Sequence, residues 1–357
     1  MTDLLKNLMK DFPEEIIRDV LIRLRIKSLI RCTCVCKSWR SMIKDSTFIR
    51  THLTHTLSIN TQNATHLLLL HTVVIEGTHL FKEDLYSLCY DNPAFDQCCN
   101  IEFPSALKKV TKYQASRVVG TCNGLVCLAV DLMCYAFDLV LWNPSVRKYV
   151  TLPNPLGGYG CGSFGFGYDS VTSDFQVVKL ATQLILNNKL YECPPVAQVY
   201  SLAKGSWSSL HFDLPPCVMD GCSPNAFVNG AIHWLALRLT NEAYIYFILS
   251  FEVSSESLRE MMLPESFKYM SLGLSLSVSG DGKSLGLFAK CDSDTDSFLD
   301  IWSGEVVLVL EDDRELVSLD LVSKKYKSFG ISGGQHCSVD SYEENLVLLD
   351  REDASSY

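Results

Sequence analysis

Residues 26–43 read IKSLIRCTCVCKSWRSMI. Three cysteines at alternate positions, Cys32, Cys34 and Cys36, invite three readings: a metal site, a redox site, or one stretch of helix. The spacing of their neighbours decides. Leu29, Cys32, Cys36, Trp39 and Ile43 recur at steps of three and four residues, the period of a helical face. On a helix Cys34 points roughly 200° away from Cys32, so the three thiols cannot converge on one ion. No C-x-x-C is present, and a tetrahedral zinc site needs four convergent ligands. The cysteines are read as packing residues on a helical run.

The helical pattern extends upstream. Phe12-Pro13 is followed by EEIIRDVLIRL, which puts proline at the first helical position and two acids in the first turn. Ile17, Leu21 and Leu24 fall at i, i+4 and i+7, with Ile16 and Val20 beside them, giving one broad apolar face. Three short amphipathic helices in about 45 residues enclose too little core to stand alone easily, so a partner is expected to complete them.

The 357 residues suffice for a small domain joined to a large one, and 47% hydrophobic against 20% charged residues can bury a sizeable core. The opening MTDLLKNLMKDFPEE lacks the basic and apolar regions of a signal peptide. The longest apolar run, LLLLHTVVI at 67–75, is too short for a bilayer that needs about 20 residues. The expectation is a soluble intracellular protein, cytoplasmic and/or nuclear, with no membrane partner. Most of the fifteen cysteines sit in apolar runs such as NGLVCLAV, the pattern of reduced core thiols. Residues 1–56 carry a net charge of +5, leaving −15 for the remainder. An acidic main body argues against nucleic-acid binding.

Past residue 60 the period changes to short β-branched and aromatic runs separated by turn signals. One phrase recurs: VLWNPSVRKYVTLP (140–153), VYSLAKGSWSSL (199–210), LSFEVSSESLREMMLP (249–264) and VSLDLVSKKYKSFGI (317–331). Between these lie hairpins of a second type, VVGTCNGLVCLAV (118–130), AFVNGAIHWLAL (226–237) and SVSGDGKSLGLFA (277–289). Asn123-Gly124, Asn229-Gly230 and Asp281-Gly282 supply the positive φ angles of tight hairpins. Two hairpins per repeat make about four strands, the arithmetic of a propeller blade. The fold class expected is α+β as separate domains: a three-helix unit at 1–56, then an all-β, propeller-like, kelch-related domain at 57–357.

The stretch FPEEIIRDVLIRLRIKSLIRCTCVCKSWRSMIKDSTFIRTHL (12–53) resembles an F-box of the plant type, most specifically in CVCKSW. The resemblance implies docking onto the Skp adaptor of a cullin-type ubiquitin ligase, and through it onto cullin and RING subunits. The residues at the family's adaptor-facing positions are Phe12, Pro13, Ile16, Ile17, Leu21, Leu24, Leu29, Val35 and Trp39. Arg25 departs from the pattern, standing where the family has proline, so the first inter-helix turn loses its stop signal. TCNGLVCL, LWNPSVRKYVTLP, FGFGYDSVTSDFQVVKL, VYSLAKGSWSSL, FVNGAIHWLA and LSFEVSSESLREMMLPE are similar, in order, to the plant F-box-associated domain. FIRTHL, NPAFDQCCNI and YEENLVLLD resemble the S-locus F-box-like subgroup, which implies a basic, secreted-type ribonuclease as target. After Trp302 roughly half a blade of the family pattern is missing.

Catalytic motifs are weak. Gly160-Cys-Gly162-Ser-Phe-Gly165 fits G-x-G-x-x-G, but strand-like sequence follows where a dinucleotide site needs a helix. Asp292, Asp294 and Asp296 begin like a calcium loop, with Ser297 in place of its glycine and Ser303 in place of its glutamate. His233 and His71 lie in apolar strands and read as core histidines. No cofactor, metal or catalytic residue is expected. The function implied is a substrate receptor of a ubiquitin ligase, recruiting a target protein of unknown identity and of basic character. A kelch-type scaffold outside any ligase and a propeller enzyme are the alternatives.

Overall fold

Pro13, with φ −54° and ψ 146°, precedes rather than begins the first helix, and its carbonyl accepts from the amides of Ile16 and Ile17. Four helices follow in the computed structural model: α1 (Glu14–Ile22), α2 (Ile26–Cys32), α3 (Lys37–Ile43) and α4 (Ser46–Asn60). The structure describes residues 12–60, 67–76, 81–90, 98–107, 115–132, 135–155, 162–186, 189–219, 225–239, 244–263, 274–278, 285–289, 305–310, 315–320, 325–332 and 337–357.

Each helix boundary has a local cause. Arg25 adopts φ −65° and ψ 151°, the φ that proline would have locked, so the α1–α2 turn forms without it. The single helical run expected over residues 29–43 is broken at 33–36. Cys36 is extended, and its Sγ accepts from the amide of Trp39 at 3.4 Å, capping α3. The apolar period carries across the break because α2 and α3 bury their residues in one core. Cys32 is half-buried and packs on the helical core as the spacing suggested, Cys36 is half-buried at the cap, and Cys34 is exposed, which the expectation of core packing did not foresee. Asp45 caps α4 by accepting from Thr47 and Phe48 amides at 3.1 and 3.0 Å. His52 of α4 reaches back to the carbonyl of Leu24 at 3.1 Å.

The helical core comprises Ile17, Leu21, Ile26, Leu29, Met42, Ile43, Phe48 and Ile49, joined by Leu346 and Leu349 from the C-terminal segment. The completion expected from a partner therefore comes partly from the chain's own end.

Among the described residues the β-body has six antiparallel sheets. In one, Ala115–Cys122, Leu125–Leu132, Tyr135–Asn143 and Lys148–Thr151 pair in chain order. In the next, Ser163–Asp169, Asp174–Leu186, Lys189–Ser201 and Ser206–His211 do the same. Each repeat phrase is thus the outer hairpin of a blade, and each Asn-Gly phrase the inner one. Asn123 and Gly124 have φ of 45° and 76°, and Asn229 and Gly230 of 51° and 78°, as type I′ turns require. Asp281-Gly282 lies outside the described residues.

The innermost strands lie side by side, in the order Cys337–Tyr342, Ala115–Cys122, Ser163–Asp169, then Ala226–Val228 and Leu274–Val278. Glycine permits the close approach. A Cβ on Gly165 would stand 2.6 Å from Trp234 and 2.5 Å from Ile232 of the next sheet. Asn225 ties three inner strands together, donating to the carbonyls of Val119 (2.8 Å) and Phe164 (2.9 Å).

One sheet combines both ends of the chain. Cys337–Tyr342 pairs with Leu67–Glu76, from Leu67 opposite Tyr342 to Thr72 opposite Cys337, and Phe81–Tyr90 and Cys98–Ile101 complete it. Pairing an early strand with a late one in a single sheet is the arrangement that closes a propeller-like ring. Tyr86 of this sheet stacks on His71 (4.5 Å) and Phe103 (5.0 Å) and meets Trp142 of the neighbouring sheet edge-on at 5.1 Å. Cys89 is disulfide-bonded, and the register places Cys98 opposite it, so the expectation of reduced cysteines fails there. The gap expected after Trp302 falls in residues 290–304, outside the described residues. A two-stranded sheet (Leu274–Val278, Leu285–Ala289) precedes that interval and a three-stranded one (Glu305–Leu310, Glu315–Asp320, Lys325–Ser332) follows it.

Candidate docking surface

Helix α1 is apolar on two sides. Ile17 and Leu21 point into the helical core, whereas Ile16 and Val20, one turn apart on α1, and Phe12, just before the helix, are each close to half exposed. Large apolar side chains scattered singly on a surface need no explanation, but Ile16 and Val20 one helical turn apart, with Phe12 just before the helix, leave apolar surface that water covers at a cost. Covering what remains exposed of each is worth roughly 1 kcal/mol.

The nine sequence-predicted adaptor residues divide by depth. Phe12, Pro13 and Ile16 are exposed; Leu24, Val35 and Trp39 are half-buried; Ile17, Leu21 and Leu29 are buried. The last three pack within the helical unit and hold α1 against α2, so they shape the surface rather than line it. Val20 is not among the nine, although it is exposed one helical turn after Ile16. The i+4 spacing was its signal, obscured because Val20 also sits beside the inward-facing Ile17 and Leu21. The helical unit exposes many cations, Arg23, Arg25, Lys27, Arg31, Lys37, Arg40 and Lys44, while α1 itself exposes Glu14, Glu15 and Asp19. Arg18 stands 3.9 Å from Asp45, a surface pair of small energetic weight.

The helices sit at one end of the β-body. Val146, in the turn after Tyr135–Asn143, packs on the helical core, and Leu53 of α4 is buried among residues of the body's first two complete sheets.

The other motifs resolve structurally. Ser163–Asp169, following Gly162, is a strand, so the G-x-G-x-x-G phrase opens no helix, and Gly165 makes room for Trp234. The Asp292–Asp296 loop lies outside the described residues. His233 is buried, its pKa lowered by burial against the opposing effect of a backbone hydrogen bond to Val228. Burial pushes the thiols of Cys122 and Cys127 well above their ordinary range, which leaves them inert as nucleophiles. Among the described residues no three His, Cys, Asp or Glu side chains cluster to hold a metal, and no helix is long and apolar enough to cross a membrane.

Comparison with known proteins agrees with this division. Residues 9–51 match the F-box domain and residues 78–313 match the F-box associated beta propeller domain. An F-box/kelch-repeat protein of Arabidopsis thaliana is 31% identical over 261 residues, covering 71% of this chain and 66% of its own length. F-box protein CPR1 of the same plant is 25% identical over 313 residues, covering 82% and 69%. The chain thus spans about two-thirds of the length of these relatives. Among solved structures it is similar to a glycoside hydrolase at 10% identity and a TM-score of 0.33, covering 77% and 89% of the two chains, a level that carries no argument.

Proposed function

The chain belongs to the family of plant F-box proteins with an F-box associated beta propeller domain, and from that membership we propose that it is the substrate-recognition subunit of a Skp–cullin–F-box-type ubiquitin ligase. The observation that carries the reading is the exposed apolar surface of Phe12, Ile16 and Val20, which no described residue covers. Together with Pro13 and the half-buried Leu24, Val35 and Trp39 it suits a hydrophobic groove on an adaptor, a helix-in-groove contact with an aliphatic and aromatic anchor set. The net positive charge of residues 1–56 suits an acidic adaptor surface and speeds encounter with it.

In this reading the chain performs no covalent chemistry. Its contribution is proximity: target and ubiquitin-loaded enzyme share one assembly, at effective concentrations of millimolar order. The β-body, acidic overall, recruits the target, and its charge suits a basic protein. The test is co-purification of the full chain with a plant Skp-type adaptor, wild type beside Ile16→Asp/Val20→Asp. Stable association of the wild type and its loss in the folded double variant are expected. A folded wild type that captures no adaptor overturns the proposal.

A further inference from the structure

The C-terminal fifteen residues join three parts of the molecule that the chain otherwise visits separately. They leave the ring-closing strand Cys337–Tyr342 near the axis and end at the rim, where Ser355 and Ser356 pair with Tyr149 and Lys148 as a fifth strand. Along the way they alternate between partners. Leu346 and Leu349 insert into the helical core beside Ile17, Leu21 and Phe48. Leu348 and Ala354 pack into the core of the β-body, where Leu53 of α4 also lies.

The polar attachments are all to the body. The buried Asn345 donates to the carbonyl of Asn123 and receives the amide of Asn143 at 2.6 Å. Gly124 beside it has no room for a side chain: a Cβ there would fall 1.8 Å from the Glu343 carbonyl. Lys148 Nζ donates to the carbonyl of Arg351 at 2.8 Å. Arg351 in turn donates to the carbonyl of Leu202 in the next sheet at 2.6 Å. Trp142 Nε1 donates to the hydroxyl of Tyr357 at 2.8 Å. Anchored on the body before, between and after its two helix-facing leucines, this segment cannot move with the helices alone.

We propose that residues 343–357 are a strap that holds helices α1–α3 in one orientation on the β-body, so that the exposed apolar residues of α1 and the body keep a fixed relative geometry. That geometry has functional weight only on the ligase-receptor reading, since a receptor must present its target at a set distance and angle to the ubiquitin-loaded enzyme. Without the strap the helices would keep only Val146 of the body in their core and the packing of α4 on it, and would swing.

The test loosens the strap where it touches the body and reads the helices. Hydrogen exchange is measured on the full chain carrying Lys148→Ala/Arg351→Ala, and on the chain ending at Leu349. Neither change removes a residue of the helical core. The strap predicts at least fivefold faster exchange of α1–α3 amides in both, with the strand Asp174–Leu186 unchanged. Helices unaltered after deletion of residues 350–357 overturn the proposal. So does equal acceleration everywhere, which would make the segment a part of general stability. Adaptor capture by the wild type, measured separately, tests the receptor reading and is independent of this result.

Discussion

The amide of Asn143 donates to the side-chain oxygen of Asn345 at 2.6 Å, and neither residue retains measurable solvent exposure. The same amide also reaches the carbonyl of Val347 at 2.8 Å. One side chain at the end of a blade strand therefore organises the segment that leads into the helical core. Asn143→Ala is expected to lower stability by about 1–3 kcal/mol, the cost of leaving buried acceptors unpaired. Asn143→Asp should cost more, because a carboxylate would face two oxygens with no proton between them. Urea midpoints of the two variants check the order; Ala more damaging than Asp would refute this account of the site.

Depth separates two kinds of residue on α1. Leu21 is buried, so Leu21→Ala should cost about 2–5 kcal/mol of folding stability. Ile16→Ala, at an exposed position, should change stability by less than about 0.5 kcal/mol and weaken adaptor binding roughly tenfold. Thermal melts paired with adaptor titration distinguish the two. Equal melting shifts would show that Ile16 is a core residue.

Arg25 already holds a proline-like φ of −65°, and its amide donates no backbone hydrogen bond to another described segment. Arg25→Pro should therefore stabilise the chain by about 0.4–1 kcal/mol, by narrowing the unfolded ensemble. A lower denaturation midpoint in the variant would mean that the turn needs freedom the backbone angles do not reveal.

Burial raises the carboxyl of Asp340, on the ring-closing strand, to about 6, against a smaller opposing effect from His71. The sign follows from linkage. A carboxyl whose folded value lies above its unfolded value favours folding while protonated, and that contribution is lost as pH climbs from about 4 through 6. Asp340→Asn should thus stabilise the chain at pH 7 by on the order of 1–2 kcal/mol and leave it nearly unchanged at pH 4. Stability measured at both values, with an equal gain at each, would place the effect outside titration.

Much of the fold is written in short-range signals. The Asn-Gly dipeptides name their hairpins, and the phrases around Trp142, Trp207 and Leu249 mark outer strand pairs at nearly regular intervals, because each blade repeats the same local chemistry. What was not legible depends on contacts between distant segments. Tyr342 opposite Leu67, Leu346 among the helices and Ser355 beside Tyr149 leave no periodic trace, since neither partner is near the other in sequence. The proposed docking residues fall between these cases. The family resemblance implied Phe12, Ile16 and Trp39 among nine positions, but a motif cannot say which face of an amphipathic helix its own chain will cover. Ile17 and Leu21 went inward because the C-terminal leucines meet them there.

The pairing of Leu67–Glu76 with Cys337–Tyr342 also sets a timetable for the living chain. The two strands are roughly 270 residues apart, and synthesis at about 5–20 residues per second separates their emergence by roughly fifteen seconds to a minute. Throughout that interval Leu67–Glu76 has no inner neighbour and presents an open edge of hydrogen-bonding groups. The helical unit waits as well, because Leu346 and Leu349 are made roughly 300 residues after the helices they complete. Each newborn molecule therefore passes through a stage in which the ring is open and the N-terminal helices lack Leu346 and Leu349. Premature termination anywhere before residue 337 would arrest it there, as a natural client of chaperones and proteases.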